Sequence, residues 1–387
     1  MINPDKIKKA ILEEDCSGWL FFNFRHRDLL SDLILGIDST KLNSRGWFYL
    51  IFPDRENIKI THNVEPDALD QLPGEKIIYT SRDELKVILG RFKDMLFAVQ
   101  EDINLTQISF LDSGTASLLK NCGIRIKSSA PLVQKTIGVL DSRQIASHEK
   151  AGKALYEIIT ESWDLITSCI RKNRAVTEKE VQAFILDRYR ENNLLTEHLP
   201  LVAFAGNTAD PHYDTGTRDT VLEKNMPVQF DIWGRLDVPG SVYADISWAG
   251  FTAPSCPAPL AKSFAAVMEA RDAVTNFISR QLDKNVPVSG AEADLIARSV
   301  LDGSGYGYAV KHRTGHAIDL ELHGYGGNLD SVEFPDNRPL IGGSCFSVEP
   351  GLYFKDFGIR TEINCYIINN SLVISGGSPQ KDILLLK

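Results

Sequence analysis

Short apolar runs and amphipathic stretches alternate along the first third of this 387-residue chain. The apolar runs have the length and the aromatic and β-branched content of strands. They predict strands at 18–24, 46–52, 57–61, 76–79, 96–100 and 106–110. Helices are predicted at 5–14, near 26–35 and over Ser113 to Asn121, and Ser81 with Glu84 is an N-cap pattern for another. The alternation indicates an α/β domain, which we assign to residues 1–140.

Beyond residue 140 the helical periodicity extends over longer stretches and recurs in a fixed order. A long helix and a shorter one precede strands twice in succession. The predicted helices cover 143–171, 177–192, 257–282 and 289–302, and the later strands cover 306–311, 344–349, 359–368 and 371–375. Thr177 and Glu180 form the capping-box pattern of the second helix. We therefore predict one domain at 141–387, with two similar halves whose strands join into one curved antiparallel sheet covered by helices.

Composition restricts the classes of partner. The net charge is −9 and no run of Lys or Arg occurs, so neither nucleic acid nor an acidic membrane surface is an expected partner. No stretch of eighteen apolar residues and no signal-peptide pattern is present, so we expect no membrane segment. The six cysteines are isolated from one another, which favours free thiols and a reducing, cytoplasmic location.

Histidines are concentrated in one segment. The chain has eight, and three of them, His312, His316 and His323, lie within twelve residues. Imidazole binds borderline metals and transfers protons near neutral pH, so the cluster indicates a metal or catalytic site. His148 and His198 have no such context, and we expect both at the surface.

Four acidic residues interrupt apolar, strand-like segments: Asp231, Asp245, Glu349 and Glu362. A carboxylate in such surroundings is costly unless a cation neutralises it, and two neighbouring acids would raise each other's pKa. Four carboxylates and an imidazole are the donors that a pair of divalent ions would use. The sequence therefore favours a metal centre that joins these acids to the histidine cluster.

These residues resemble the pita-bread metallopeptidases, which include aminopeptidase P, prolidase and methionine aminopeptidase. The resemblance rests on the order of the five residues and on three phrases, His312-x-x-Gly-His316, Glu349-Pro-Gly-Leu-Tyr353 and Gly358-x-Arg-Thr-Glu362. It implies an α+β protein with a C-terminal pita-bread domain. On architecture alone, the first domain is similar to the N-terminal domain of the prolidase, aminopeptidase P and creatinase branch, which implies a role in dimerisation and cleft shaping.

The resemblance also implies roles for individual residues. The metal ligands would be Asp231, Asp245, His316, Glu349 and Glu362, holding two divalent ions, Mn in the first place, with Co, Zn and Fe as alternatives. A hydroxide bridging the two ions would attack the scissile carbonyl, and Glu349 would also take a proton from the water. His323 would donate a hydrogen bond to the tetrahedral intermediate or leaving group, and His312 would line the substrate pocket. His212 would hold substrate or stabilise charge.

By the same resemblance, the function is that of an exopeptidase acting on Xaa-Pro bonds, an Xaa-Pro aminopeptidase or an Xaa-Pro dipeptidase, with a small peptide as substrate and proline at P1′. A homodimer is expected. Two alternatives stay open: a pita-bread enzyme that cleaves a non-peptide bond, as a creatinase-like C–N hydrolase or a metal-dependent lyase, and a non-catalytic binding protein on the same fold.

Two departures from the family pattern bear on the site. The segment between Asp231 and Asp245 is longer than usual, with an extra turn expected at Asp237 to Ser241. A lengthened hairpin loop should leave the paired strands and their ligands in place. Trp248 replaces an Arg that many relatives carry, which puts the charge around the metal ligands and the substrate preference in doubt.

Overall fold

A computed structural model describes residues 4–386, and its internal contacts divide the chain after Ile137. The predicted domains, 1–140 and 141–387, have their boundary three residues further on, and the roles assigned to them stay predictions. Residues 1–3 and 387, at the ends of the predicted ranges, lie outside the described residues.

The first unit is built on a six-stranded mixed sheet with the order β4-β3-β2-β1-β5-β6. Its strands β1 and β2, and β2 and β3, pair antiparallel, while the other neighbours pair parallel. The elements are α1 (Pro4–Glu13), β1 (Gly18–Asn23), α2 (Leu29–Leu35), β2 (Trp47–Ile51), β3 (Ile58–His62), β4 (Glu75–Tyr79), α3 (Arg82–Gly90), β5 (Leu96–Val99), α4 (Ser113–Asn121), β6 (Arg125–Ser128) and α5 (Ala130–Thr136). Helices and strands alternate as the sequence predicts.

The strand predicted at 106–110 is wrong, because this segment contains a 3₁₀ turn, Thr106–Ile108. Asp102 closes the segment: its side chain accepts from the backbone N–H of Leu105, and its own N–H donates to the hydroxyl of Ser109 over 2.7 Å. A side chain that binds nearby backbone groups competes with a strand ladder. The helix predicted from residue 26 begins only at Leu29.

The second unit contains the long and short helices in the predicted order. Two pairs, of 30 and 14 residues and of 26 and 14 residues, each precede strands. The elements are α6 (Ser142–Arg171), α7 (Glu178–Glu191), β7 (Leu194–Leu195), β8 (Leu201–Phe204), β9 (Pro227–Leu236), β10 (Ala244–Phe251), α8 (Ala258–Asp283), α9 (Gly290–Gly303), β11 (Cys345–Val348), β12 (Gly351–Tyr353), β13 (Gly358–Arg360), β14 (Ile363–Ile368), β15 (Ser371–Ile374) and β16 (Leu384–Leu385). The capping box of Thr177 and Glu180 opens α7 as predicted.

The strands of this unit form three hydrogen-bonded sheets where one antiparallel sheet was predicted. One has the order β16-β10-β9-β7 with β8 also on β9, the second is β11-β14-β15, and the third is β12-β13. In the first of these, β16 pairs parallel to β10. The sheets meet where the backbone N–H of Glu362 donates to the carbonyl of Ser247 over 3.0 Å.

The strand predicted at 306–311 is also wrong, because the structure has a 3₁₀ turn at Gly307–Ala309. Gly305 has a positive φ of 79°, which favours glycine. A Cβ on Gly307 would lie 1.7 Å from a carboxylate oxygen of Asp302. The two glycines therefore let the chain fold back closely against the end of α9.

The hairpin of β9 and β10 has two different faces. Side chains of Phe230, Ile232 and Ile246 lie on one face, in the apolar core formed with α6 and α7. Successive residues of a strand point to opposite sides, so Asp231 and Asp245 lie on the other face. The helix-packed core thus fixes the surface on which the two acids stand.

The six cysteines are all free thiols. Within residues 4–386 no helix combines the length and the apolar character needed to cross a lipid bilayer.

Candidate metal centre

Three buried side chains from three elements form one cluster of potential metal ligands. They are Asp245 on β10, His316 in the segment before β11, and Glu362 in the turn between β13 and β14. One ligand atom from each lies within 4.8 Å of the other two. Residues far apart in the chain thus meet as two carboxylates and one imidazole.

Strand register places the first two acids side by side. Asp245 lies opposite Trp233, and Ser247 lies opposite Asp231, in the antiparallel pair of β9 and β10. Pairing continues to Ala244 and its partner at position 234, and the extra residues form the turn that follows β9. The longer spacing between the acids is therefore confined to the loop.

His316 is held with one ring nitrogen directed at the acids. Its backbone N–H donates to the hydroxyl of Ser347 over 2.9 Å, and its carbonyl accepts from the N–H of Ser347. Its Nδ1 lies 3.0 Å from the carbonyl of Ala317, to which it donates. That leaves Nε2, which lies 3.6 Å from Oδ2 of Asp245 and 3.6 Å from Oε1 of Glu349.

The centre has too few donors for its buried carboxylates. Oδ1 of Asp245 and Oε1 of Glu362 are buried and accept no hydrogen bond. Burial raises the pKa of both acids, and each is raised further by the other carboxylates, of which Asp231 acts first on Asp245, and Asp245 first on Glu362. Burial also lowers the pKa of His316. A divalent cation would satisfy these oxygens and favour their charged form, so the residues fit a metal ion.

Asp231 lies next to this cluster but is paired with a cation of the protein. Its two oxygens accept from the guanidinium of Arg360 and from the hydroxyl of Ser247. Arg360 is buried, and it also donates to Ser247 over 3.0 Å and to the phenol of Tyr353 over 2.8 Å. The role of Arg360 was not predicted, although it lies within the phrase that ends at Glu362.

A short hydrogen-bond chain leads from Arg360 to His312. The hydroxyl of Tyr353 accepts from Arg360 and lies 2.9 Å from Nε2 of His312. Nδ1 of His312 lies 2.7 Å from the carbonyl of Arg313, which fixes the proton on Nδ1 and makes Nε2 the acceptor. Burial and the nearby charge of Arg360 lower the pKa of His312 to about 3, so its ring is neutral.

His323 and His212 lie at the exposed side of the centre. The ring of His323 meets that of His316 edge to face at 4.3 Å between centroids. A charge on His316, together with partial burial, lowers the pKa of His323. His212 is exposed, and its backbone N–H donates to Asp210. It follows Pro211, whose carbonyl accepts from Arg360 over 3.3 Å.

Two buried acids that the sequence did not single out hold the loops of the centre. Glu178, at the start of α7, accepts from the backbone N–H groups of Phe204 and Thr220. It also accepts from the side chains of Asn207 and Tyr213. The segment that carries His212 is thus fixed from behind. The sequence shows Glu178 only as an acid between the two residues of the capping box, Thr177 and Glu180. Acids in the first turn of a helix are common, so its position alone does not indicate a buried role.

Asp294 does the same for the histidine segment. It accepts from the backbone and hydroxyl of Thr314 and from those of Ser331, and it pairs with Arg298 over 2.7 Å. Both loops are therefore anchored to the helices by a single carboxylate each.

Two expectations about neighbouring residues change. Trp248 lies on the helix-covered face of β10, edge to face with Tyr156 at 5.9 Å, and so points away from Asp231 and Asp245. His148 is fully buried, so its predicted surface position is wrong. Its Nδ1 donates to the carbonyl of Tyr243 over 2.6 Å, which compensates the burial of the ring. His198 is exposed, as expected.

Comparison with known proteins identifies a protein family that the sequence matches. The sequence profile of metallopeptidase family M24 matches residues 146–369, which is more than half of the chain. Among curated proteins, an uncharacterized peptidase of Schizosaccharomyces pombe is 29% identical over 201 residues, 51% of this chain and 41% of that protein. An Xaa-Pro dipeptidase of Lactobacillus delbrueckii subsp. lactis is 37% identical over 76 residues, 19% of this chain and 20% of that protein. The matched segments thus span less than half the length of these relatives.

Solved structures match over nearly the whole chain. The dipeptidase PepE from Mycobacterium ulcerans superposes with a TM-score of 0.72 at 19% identity, covering 99% of this chain and 96% of that one. At this identity the likeness concerns the fold alone. It confirms the predicted pita-bread fold.

Proposed function

The chain belongs to metallopeptidase family M24, and we propose that it is a metal-dependent exopeptidase acting on Xaa-Pro bonds, as an Xaa-Pro aminopeptidase or an Xaa-Pro dipeptidase. The observation that carries this proposal is the buried cluster of Asp245, His316 and Glu362, in which two carboxylate oxygens have no donor. Proteins rarely keep such groups uncompensated, and a metal ion is the compensation that the family uses.

Divalent metal use is a property of the family, and the proposal extends it to two ions per chain. Asp245, His316 and Glu362 would hold them together with Glu349, whose Oε1 already lies 3.6 Å from His316. Asp231 would join as the fifth ligand. When bound, the ions supply Lewis acidity and lower the pKa of a coordinated water towards neutrality. Manganese is our first expectation, because carboxylate-rich sites suit hard ions.

The chain's own side chains would then bind substrate and move protons. Glu349 is the most accessible acid next to His316, at 14% exposure of its side chain, and would hold the proton that the attacking water loses. His323, whose lowered pKa keeps it neutral, would donate one N–H to the oxygen of the tetrahedral intermediate or to the leaving nitrogen. His312 would orient the substrate from a fixed, neutral ring, and exposed His212 would bind it at the entrance.

Arg360 has a positioning role in this account. Its guanidinium holds the carboxylate of Asp231 and the phenol of Tyr353, and the phenol in turn fixes His312. Orientation of the ligand Asp231 and of the substrate-binding His312 is thereby coupled through one buried cation.

Preference for proline is supported by the relatives that carry the name Xaa-Pro dipeptidase, which match this chain over short segments. A homodimer and a cytoplasmic location belong to the same proposal. They rest on the family resemblance and on the six free thiols.

Peptide hydrolysis by the full-length protein tests the proposal. The protein is stripped of metal, reloaded separately with Mn, Co, Zn or Fe, and given Ala-Pro, Ala-Pro-Gly and the control peptide Ala-Gly. We expect cleavage of Ala-Pro and little cleavage of Ala-Gly. Cleavage of the tripeptide as well would identify an aminopeptidase, whereas cleavage of the dipeptide alone would identify a dipeptidase.

A matched pair of variants completes this test. Glu362→Gln should abolish turnover, whereas Glu269→Gln, which changes an exposed acid on α8, should not alter it. Hydrolysis of none of the peptides with any of the metals would reject the proposal. Stoichiometric metal binding without peptide hydrolysis would favour an enzyme that cleaves a non-peptide bond. Absence of bound metal would favour a non-catalytic binding protein.

A further inference from the structure

A large aromatic side chain stands directly beside the proposed ligands. Trp233 follows Asp231 by two residues on β9, so both side chains are on the same face of the strand. It is also the cross-strand partner of Asp245. Directly opposed residues of an antiparallel pair have Cβ atoms about 4.5 to 5.5 Å apart. The Cβ atoms of Trp233 and Asp245 are therefore neighbours on this face of the hairpin.

Packing, not hydrogen bonding, holds this indole. It lies against an apolar cluster of Leu201, Ala203 and Tyr213. Leu201 is the partner of Asp231 on β8. The cluster therefore lies on the β8 side of β9, whereas Asp245 lies on the β10 side. The indole Nε1 is buried and has no acceptor. Trp233 thus acts through the volume of its ring.

We propose that Trp233 limits the size of the substrate's first side chain, so that peptides with a small amino-terminal residue are preferred. This inference rests on the proposed function. Because proline is the second residue in every substrate of that class, the side chain that varies beside the scissile bond belongs to the first residue. A rigid, half-buried ring on the strand face that carries Asp231 and Asp245 leaves less room on that face for this side chain.

Substrate selectivity tests the inference. The values of kcat/KM for Ala-Pro and Phe-Pro are compared for the wild-type protein and for Trp233→Ala, each loaded with the same metal. A ratio taken within one protein cancels differences in metal occupancy between proteins. We expect the wild-type protein to prefer Ala-Pro, and Trp233→Ala to lower the ratio of Ala-Pro to Phe-Pro by about tenfold or more.

Two further variants separate volume from other causes. Trp233→Phe keeps most of the ring and removes the N–H, so it should retain most of the preference. Trp248→Ala is the matched control, because Trp248 is on the neighbouring strand but faces the helices. It should leave the ratio unchanged even where it lowers stability.

The outcomes distinguish this inference from the proposed function. An unchanged ratio in Trp233→Ala, or a wild-type preference for Phe-Pro, would overturn the size limit while hydrolysis itself still supports the peptidase. If the wild-type protein hydrolyses neither these dipeptides nor Ala-Pro-Gly with any of the four metals, the proposed function fails. In that case, calorimetric binding of the same two dipeptides decides the inference, and equal affinity ratios in wild type and Trp233→Ala would overturn it.

Discussion

His316 and His323 are neighbours with different surroundings, although their rings lie 4.3 Å apart. Only His316 has a ring nitrogen directed at carboxylates, at 3.6 Å from both Asp245 and Glu349. We expect His316→Ala to lose bound metal together with activity. His323→Ala should keep its metal and lose about 10²- to 10⁴-fold in kcat, the usual contribution of a proton donor or hydrogen-bond donor.

Metal content by elemental analysis, measured beside kcat on the same samples, checks this division. Equal loss of metal in the two variants would show that His323 is also a ligand. The matched comparison is sharp because both changes remove the same side chain from the same segment.

Asp28 provides a pH-dependent prediction in the first unit. Burial raises the pKa of this carboxyl, the N-cap of α2, to about 6. The folded state therefore binds the proton more tightly than the unfolded state, and this contribution to stability is lost as pH rises from about 4 to about 6. The shift of about two units corresponds to about 3 kcal/mol at most.

Asp28→Asn removes this titration, because an amide does not ionise between pH 4 and pH 7. The N-cap is kept, because Asn also serves as an N-cap. Urea unfolding at pH 4 to 7 should show that the stability of the wild-type protein relative to Asp28→Asn falls across that interval. Asp83→Asn is the control, because its hydrogen bond with Lys86 lowers the pKa of exposed Asp83 and gives the opposite slope. A relative stability of Asp28→Asn that does not vary with pH would refute the account.

At this scale the sequence predicts which residues carry chemistry better than it predicts their partners. Unusual acids in apolar strands and clustered histidines are visible in the chain itself. The pairing of Asp231 with Arg360 joins residues 129 positions apart, and it depends on how two sheets meet. The burial of His148 depends likewise on a carbonyl 95 residues away.

Among the elements, the segment from β8 to the loop of His212 depends on one buried carboxylate. Glu178 accepts hydrogen bonds from Phe204, Asn207, Tyr213 and Thr220. Glu178→Gln places an amide NH₂ against these donors and should lower the free energy of unfolding by about 3 kcal/mol, since each buried group left unsatisfied costs about 1 to 3 kcal/mol.

Glu180→Gln is the matched control two residues along the same helix. Glu180 is exposed and its side chain accepts from the N–H of Thr177, a role that Gln fills equally well in a capping box. Chemical denaturation should show little change for this variant. A similar loss of stability in both would mean that the charge near the helix start, and not the buried network, is what matters.

Element prediction succeeded where the signals are local. The start of α7 follows from Thr177 and Glu180, whose contacts span three residues. It failed at 106–110 and 306–311, where short apolar runs resemble strands but have no ladder partner within the described chain. An isolated strand cannot satisfy its backbone groups, so these segments form 3₁₀ turns closed by nearby side chains and glycines.

At the scale of the whole molecule, the division after Ile137 separates the proposed metal centre from the first unit. All five proposed ligands belong to residues 138–387, so metal should stabilise that unit directly. At a free-metal concentration one hundred times the dissociation constant, one site contributes about 2.7 kcal/mol. For a unit of this size that raises the unfolding temperature by roughly 5 to 10 °C.

Scanning calorimetry of the full-length protein, with and without Mn²⁺, checks this expectation. Hydrogen exchange assigns each transition to its unit. The transition of residues 138–387 should shift and that of the first unit should shift less. A single transition for the whole chain would show that the two units unfold as one cooperative body, and an unshifted transition of residues 138–387 would contradict the expectation.

The pairing of the strands into sheets was not predicted from the sequence. Helix order and length follow from periodicity, and the family resemblance supplies the pita-bread fold. The parallel pairing of β16 with β10 depends on register between residues more than 130 positions apart, for example Gly250 with Leu384. Loops of that length carry no local signal of their partner.

Asp245, His316 and Glu362 form the proposed divalent-metal centre. Its most direct test is the stoichiometry of Mn²⁺ bound to the metal-stripped protein at neutral pH, by titration calorimetry with elemental analysis of the same sample. We expect about two ions per chain for the wild-type protein and for Glu269→Gln, and fewer than one for Glu362→Gln. Absence of stoichiometric binding by the wild-type protein, or equal binding by Glu362→Gln, would contradict the proposed metal centre.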